Sequence, residues 1–111
     1  MNSIFISIAS YRDPELLDTI NDCINKAKYP HRLIFGICLQ DTIEKMNEVN
    51  QDIKNIVINY NNNNTAKLHD IKVYDMYYKN ARGVGLARSI IQTKLYQNED
   101  YYIQIDSYTK F

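Results

Sequence analysis

Two arginines and two glycines lie close together in the segment 82–88, which reads Arg-Gly-Val-Gly-Leu-Ala-Arg. Glycines ahead of a helix let the backbone approach a ligand closely, and the amino terminus of a helix favours an anion. The guanidinium groups of Arg82 and Arg88 carry permanent positive charge that suits phosphate oxygens. The segment therefore predicts a phosphate site that includes Gly83, and the alternative is a tight turn with solvated arginines. Its spacing fits neither a dinucleotide fingerprint nor a P-loop.

Asp106 places a carboxylate directly after a predicted buried strand at 101–105. Hard divalent metals such as Mn²⁺ and Mg²⁺ bind oxygen ligands, and a diphosphate supplies several of these. Such a site still needs a second ligand from the protein. Asp106 is therefore a candidate metal ligand, and the alternative is a carboxylate that caps the turn after the strand.

Ser10, Tyr11 and Arg12 form a short polar loop beyond the first predicted strand, 4–9. The aromatic face of Tyr11 can stack on a nucleobase, and the charged head of Arg12 can bind a phosphate. This combination indicates a nucleotide site, and the alternative is an ordinary capped loop.

Composition excludes several classes of function. The 111 residues correspond to a single domain, and 13 basic residues balance 13 acidic ones, which argues against nucleic-acid binding through bulk charge. No apolar run approaches the roughly 20 residues that span a bilayer. Cys23 and Cys38 form neither a disulfide framework nor a zinc pattern, so we expect core thiols and a reducing, cytoplasmic setting. His31 and His69 are expected at the surface.

Predicted strands alternate with predicted helices along the chain. The strands are predicted at 4–9, 33–39, 71–76 and 101–105, and the helices at 14–28, from 43 onward and at 81–97. Asp13 is predicted to cap the first helix, and Thr42 or Asp41 the second. The pattern predicts either a short strand or an irregular segment at 56–58. It predicts a solvent-exposed loop tip at 61–64.

This alternation predicts an α/β fold with a mainly parallel sheet, helices on both faces and the first strand in a central position. Ligands of such sheets bind beyond the carboxyl ends of the strands. The polar residues at 10–12, Asp41 and Asp106 all lie at predicted carboxyl ends. The sequence therefore predicts one ligand site at that edge of the sheet.

Several separate blocks of the chain resemble the polypeptide hydroxyproline N-acetylglucosaminyltransferases of the cytoplasm. In chain order, these blocks lie at 5–16, 19–20, 27–30, 35–37, 40, 81–83, 87–88 and 101–107. The resemblance implies the Rossmann-like GT-A nucleotide-sugar fold, UDP-N-acetylglucosamine as donor, a divalent metal and a protein hydroxyl as acceptor.

The resemblance also implies roles for the polar residues at the strand ends. Ser10, Tyr11 and Arg12 would frame the uridine pocket, with Asp41 near the base. The residues along the nucleotide and its diphosphate would be Arg82, Gly83 and Arg88.

Asp106 would be the first acid of the DxD-like metal motif, which in that family usually reads Asp-Ser-His. Tyr108 occupies the third position here, and a neutral phenol is a poor ligand for Mn²⁺.

Three hypotheses about function follow. The first is a transferase that moves N-acetylglucosamine from UDP to a protein hydroxyl. The second is a non-catalytic nucleotide-sugar-binding remnant or one half of a split enzyme, and the third is an unrelated small α/β module. A GT-A catalytic domain typically needs about as many residues again, so we expect 1–111 to be its nucleotide-binding half, ending after the DxD-like motif. An exposed last strand would then favour self-association.

Overall fold

The described part of the chain forms a four-stranded parallel sheet in the computed structural model, which describes residues 3–77, 79, 89–97, 99 and 101–106, with Asp106 described by its backbone alone. The strands are β1 Ile4–Tyr11, β2 Leu33–Asp41, β3 Lys72–Tyr77 and β4 Tyr101–Asp106. Their order is β3-β2-β1-β4, and each neighbouring pair is parallel. The predicted α/β class, the parallel sheet and the central first strand are therefore confirmed.

Two helices cover one face of the sheet. They are α1 Leu16–Lys26 and α2 Ile43–Asn63. Their buried residues recur at helical spacing and share one aliphatic cluster with the sheet, so each helix presents one apolar stripe. Both connections run in the same direction across the sheet, and right-handed crossovers then place both helices on the same face.

An aromatic cluster lies on the opposite face of the sheet, beside a short π-helix at Ile91–Leu95. The ring of Phe5 stacks on Tyr102 at 5.5 Å and meets Tyr96 edge-on at 5.3 Å between ring centres. Phe5 lies over Gly36, where an added Cβ would sit 2.2 Å from the Phe5 ring. The described part of the connection from β3 to β4, which includes this π-helix, therefore packs on the second face of the sheet.

The first helix begins two residues later than predicted. Its N-cap is Glu15, and the Asp13 carboxylate instead accepts a hydrogen bond from the Glu15 amide at 2.8 Å. Asp13 therefore closes a turn ahead of α1, and its predicted role as the helix cap is wrong. The helix ends at Lys26 because Ala27 is already extended.

The second helix begins as predicted but is longer than expected. Thr42 is its N-cap, and the hydroxyl accepts a hydrogen bond from the Lys45 amide at 3.3 Å. The predicted break at 56–58 is wrong, because Ile53 and Val57 continue the apolar stripe that packs on the sheet.

The predicted loop tip at 61–64 is wrong as well, because 61–63 form the last turn of α2. Its end is stabilised locally: the Asn61 side chain accepts from the Leu68 amide at 2.7 Å, and Lys67 Nζ donates to the Asn61 carbonyl at 2.6 Å. These contacts satisfy groups that a helix end otherwise leaves without partners.

Candidate functional site

Arg12 has a left-handed backbone, with φ of 47°, directly after β1. Among the described residues other than glycine, it alone has a positive φ. Such a conformation costs about 1–3 kcal/mol and persists where the surrounding structure holds it. Here the Arg12 amide donates a 2.7 Å hydrogen bond to the carbonyl of Gln40, whose neighbour in the sheet is Tyr11. The register between β1 and β2 therefore holds the turn and directs the Arg12 side chain.

Arg12 and Asp41 bring opposite charges together at this turn. The distance from Arg12 Nε to Asp41 Oδ1 is 3.8 Å, and the side chains are 50% and 13% exposed. The same Asp41 oxygen accepts from the Thr42 amide at 2.8 Å, which fixes the carboxylate. A pair with a half-exposed guanidinium stabilises a fold by at most about 1 kcal/mol. Its main consequence is an anchored carboxylate beside a solvent-accessible cation.

Ser10 and Tyr11 point in opposite directions because side chains alternate along a strand. Ser10 is fully buried, and its hydroxyl has no hydrogen-bond partner within the part of the chain that the structure describes. Tyr11 is 55% exposed, so much of its aromatic side chain is available to a ligand. The end of β1 therefore offers an exposed aromatic side chain followed by a cation, while the Ser10 hydroxyl points into the interior. The predicted loop at 10–12 is wrong in part, because Ser10 and Tyr11 still belong to the strand.

Asp106 ends β4 beside these residues. Its backbone pairs with Ala9, one residue before Ser10. The strand order β3-β2-β1-β4 matches the first half of a doubly wound sheet, in which the direction of connection reverses between β1 and β4. The structure thus brings the 10–12 segment, Asp41 and the Asp106 backbone to the carboxyl edge of the sheet, next to the reversal.

Other predicted site residues lie outside the described residues. These are Arg82, Gly83, Arg88 and Tyr108. Within 3–77, 79, 89–97, 99 and 101–106, no group of three or more His, Cys, Asp or Glu residues is arranged to hold a metal. Asp41 is already bound by an arginine and a backbone amide, so it is a poor candidate for metal coordination.

The two cysteines are free thiols without a catalytic environment. Burial, followed by the nearby charge of Asp75, raises the pKa of Cys38 to about 11. Burial raises the pKa of Cys23, and the nearby charge of Asp22 raises it further. The charge of Lys26 lowers it by a smaller amount. Both thiols therefore stay protonated near neutral pH and are poor nucleophiles. Cys38 is a core residue as predicted, while Cys23 is half-buried.

The two histidines are also placed apart from the carboxyl edge. His69 is exposed and His31 is half-buried, with its ring edge-on to Tyr29 at 6.0 Å. Neither belongs to a cluster of potential metal ligands within the described residues.

The family model described as "Glycosyltransferase (GlcNAc)" matches residues 3–67 and 47–111. The chain belongs to this glycosyltransferase family. No curated protein and no solved structure matches it. Membership confirms the broader expectation of a glycosyltransferase-like protein and suggests a nucleotide sugar as its partner. None of the helices that the structure describes is long and apolar enough to cross a membrane.

The left-handed backbone of Arg12 is a feature that could not be predicted from the sequence. Arginine is not a residue that favours a left-handed backbone, and nothing in the local sequence indicates one. The Gln40 carbonyl that holds the turn comes from another strand, so only the register between the strands reveals it.

Proposed function

We propose that this glycosyltransferase binds UDP-N-acetylglucosamine at the carboxyl edge of β1, β2 and β4 and transfers the sugar to a protein hydroxyl. The observation that carries the proposal is the left-handed Arg12 beside Asp41, next to the point where the sheet reverses its direction of connection. Ligands of open α/β sheets bind at such points. Family membership supports the choice of a nucleotide sugar.

The first three residues of the site would recognise the uridine. Tyr11 supplies an exposed aromatic face for stacking on the base, and the buried Ser10 precedes it at the end of β1. Asp41 is an acceptor for an N–H or hydroxyl donor of the nucleoside, since a carboxylate carries several acceptor positions and its Oδ1 is already oriented by Thr42. Arg12 then lies within reach of the phosphates.

Three residues of the 82–88 segment would contact the diphosphate of the nucleotide sugar. Arg82 and Arg88 would neutralise the phosphate oxygens, and Gly83 would allow the backbone to approach them. Cleaving the sugar–phosphate bond leaves negative charge on the departing diphosphate. Fixed cations at that position lower the barrier because they stabilise the charge as it develops.

The candidate site for a divalent metal has fewer protein ligands than such a site usually needs. Mn²⁺ or Mg²⁺ would use Asp106 together with diphosphate oxygens, because hard cations prefer oxygen ligands. Tyr108 occupies the position of a second ligand, but a phenol has a pKa near 10 and stays protonated at neutral pH. This donor set is too small to hold the metal without the substrate. We therefore assign the charge stabilisation to the arginines alone.

Asp106 and Tyr108 together offer few ligands for a divalent metal, and this favours a second candidate function. In that alternative, the chain is a non-catalytic nucleotide-sugar-binding protein or one half of a split enzyme. The exposed side chains of Tyr101 and Ile103 on β4, which are 55% and 46% exposed, would support pairing with a second copy or another chain. A cytoplasmic location belongs to both versions of the proposal, because Cys23 and Cys38 are unpaired thiols.

A combined binding and turnover assay separates these functions. The chain and its Arg88→Ala variant are titrated with UDP by calorimetry and then incubated with UDP-N-acetylglucosamine, Mn²⁺ and a peptide bearing hydroxyproline or serine. Loss of a charge-assisted contact typically costs roughly 1.5–3 kcal/mol, so Arg88→Ala should bind UDP at least about tenfold more weakly. Lys94→Ala, a change in an exposed cation on the π-helix, serves as the control.

The outcomes are distinct. Sugar transfer by the chain supports the enzyme, and UDP binding without transfer supports the non-catalytic or split alternative. Absence of UDP binding would overturn both versions of the proposal.

A further inference from the structure

A second polar region lies between α1 and α2, near the amino ends of the strands. There the two helices enclose a groove of about 380 Å³, which falls within the usual size range of ligand sites. Five of its lining side chains are asparagines: Asn21, Asn25, Asn59, Asn63 and Asn64. Both helices run back from the carboxyl edge of the sheet, so the groove lies at the opposite end from Arg12 and Asp41.

Helical spacing aligns these carboxamides. Asn21 and Asn25 are four residues apart on α1, as are Asn59 and Asn63 on α2, and residues so spaced share one side of a helix. Within the described residues, Asn21 and Asn25 donate no side-chain hydrogen bond and accept none, so their amides are available to a ligand.

Two of the amides near the end of α2, those of Asn63 and its C-cap Asn64, are held in place. Asn63 Nδ2 donates to the Asn59 carbonyl at 2.9 Å, and Asn64 Nδ2 donates to the Tyr60 carbonyl at 2.9 Å. Each bond uses one of the two N–H donors of its amide and fixes that side chain, while each Oδ1 remains an acceptor. Groups that are oriented in advance lose less entropy when a ligand binds.

The floor of the groove is apolar, and the whole lining is uncharged. Ile24 is buried, while Ile56 and Tyr60 are half-buried, and the side chains of all three line the groove beneath the amides. Among the described residues that line it, none is Lys, Arg, Asp or Glu. A phosphate or another strong ion therefore finds no opposite charge here, and a purely apolar ligand would leave the amides without partners.

We infer that this groove binds a neutral carbohydrate and is a second site, distinct from the candidate nucleotide site. A sugar hydroxyl both donates and accepts hydrogen bonds, as a carboxamide does, so the two pair in either direction. The C–H face of a sugar ring packs on apolar surface such as that of Tyr60 and Ile56. The inference does not rest on the proposed nucleotide-sugar function, because it uses none of the residues at the carboxyl edge.

Nuclear magnetic resonance titration of the ¹⁵N-labelled 111-residue chain tests this inference. N-acetylchitotriose is the neutral probe, and an uncharged acetylated triglycine amide is the comparison ligand. We expect shifts of the Asn21 and Asn25 side-chain amides with a dissociation constant on the order of 1 mM, because small ligands of open grooves bind weakly. The signals of Arg12 and its neighbours should not move with the triose.

Matched variants make the test specific. Asn25→Asp keeps the shape but removes the amide donor, so the triose should bind about threefold to tenfold more weakly. Asn47→Asp makes the same change at an exposed position of α2 outside the groove and should leave binding unchanged. Tyr60→Ala should abolish binding.

Asn25→Asp keeps the test valid if the Tyr60 variant fails to fold, since Asn25 is exposed. The inference is overturned if the triose causes no shift in the groove. It is also overturned if the peptide causes equal shifts, which would indicate a peptide groove, or if Asn25→Asp binds as the unmodified chain does.

Discussion

The carboxyl edge of the sheet and the asparagine groove between α1 and α2 are both polar, but they are built in different ways. At the edge, Arg12 meets Gln40 and Asp41 across two strands that are far apart in sequence, and the backbone of Arg12 is strained. In the groove, the amides are aligned by ordinary helix spacing, with unstrained backbone and without charges. The edge therefore depends on the register of the sheet, whereas the groove depends mainly on its two helices.

The largest effect on the carboxyl edge is expected from a substitution within the sheet at Gly36. Gly36→Ala adds a Cβ that would sit 2.2 Å from the Phe5 ring, which is already enclosed by Tyr96 and Tyr102. Overpacking of this kind typically lowers stability by about 1–3 kcal/mol, and urea unfolding measures the change. Binding at the carboxyl edge should weaken more than binding in the groove.

Phe5→Leu provides the matched partner for a double-mutant cycle with Gly36→Ala. A smaller side chain at position 5 makes room for the added methyl group, so the two changes together should cost less than their sum. Strict additivity would show that the Phe5 ring is not what makes glycine necessary at position 36.

The strain at Arg12 can be separated from its charge. Arg12→Gly and Arg12→Ala both remove the guanidinium, but glycine adopts a φ of 47° without the steric penalty of a Cβ. The glycine variant should therefore be more stable than the alanine variant by about 1 kcal/mol. Urea unfolding measures this difference, and an alanine variant as stable as the glycine variant would show that the turn is not strained.

The ionisation of Cys38 affects stability only at high pH, and this effect should be the same for the two polar regions. The folded state raises its pKa from 9.0 to about 11, so the contribution of the protonated thiol is fully present below pH 9. It is lost as the pH rises from 9 to about 11, because the unfolded chain releases the proton first. Cys38→Ala should lose less stability over that range than the unmodified chain, as measured by urea unfolding. Equal losses in the two proteins would contradict a contribution from Cys38.

Much of the fold could be predicted from local patterns. The continuous apolar character of β1 and the helical spacing in α1 are visible in the sequence, and they give the α/β class and the parallel sheet. The errors lie where local preference and packing disagree. The asparagines at the end of α2 favour a loop, but the helix continues through 61–63, and Lys67 and Leu68 bond to its end.

The candidate site could be predicted as a set of residues but not as an arrangement. Ser10, Tyr11 and Asp41 were expected at carboxyl ends, and the strand order places those ends side by side. The left-handed turn at Arg12 could not be predicted, because it depends on a hydrogen bond to the carbonyl of Gln40 in a neighbouring strand. Contacts between distant segments leave no trace in a local pattern.

Calorimetric titration with UDP, on Arg12→Ala and Asn25→Asp in parallel, tests the central claim most directly. The two substitutions remove a polar group from opposite ends of the molecule, and both positions are exposed. We expect Arg12→Ala to weaken UDP binding at least about tenfold, as loss of a charge-assisted contact does, and Asn25→Asp to leave it unchanged. Unchanged affinity in Arg12→Ala, or an equal loss in both variants, would contradict a nucleotide site at the carboxyl edge.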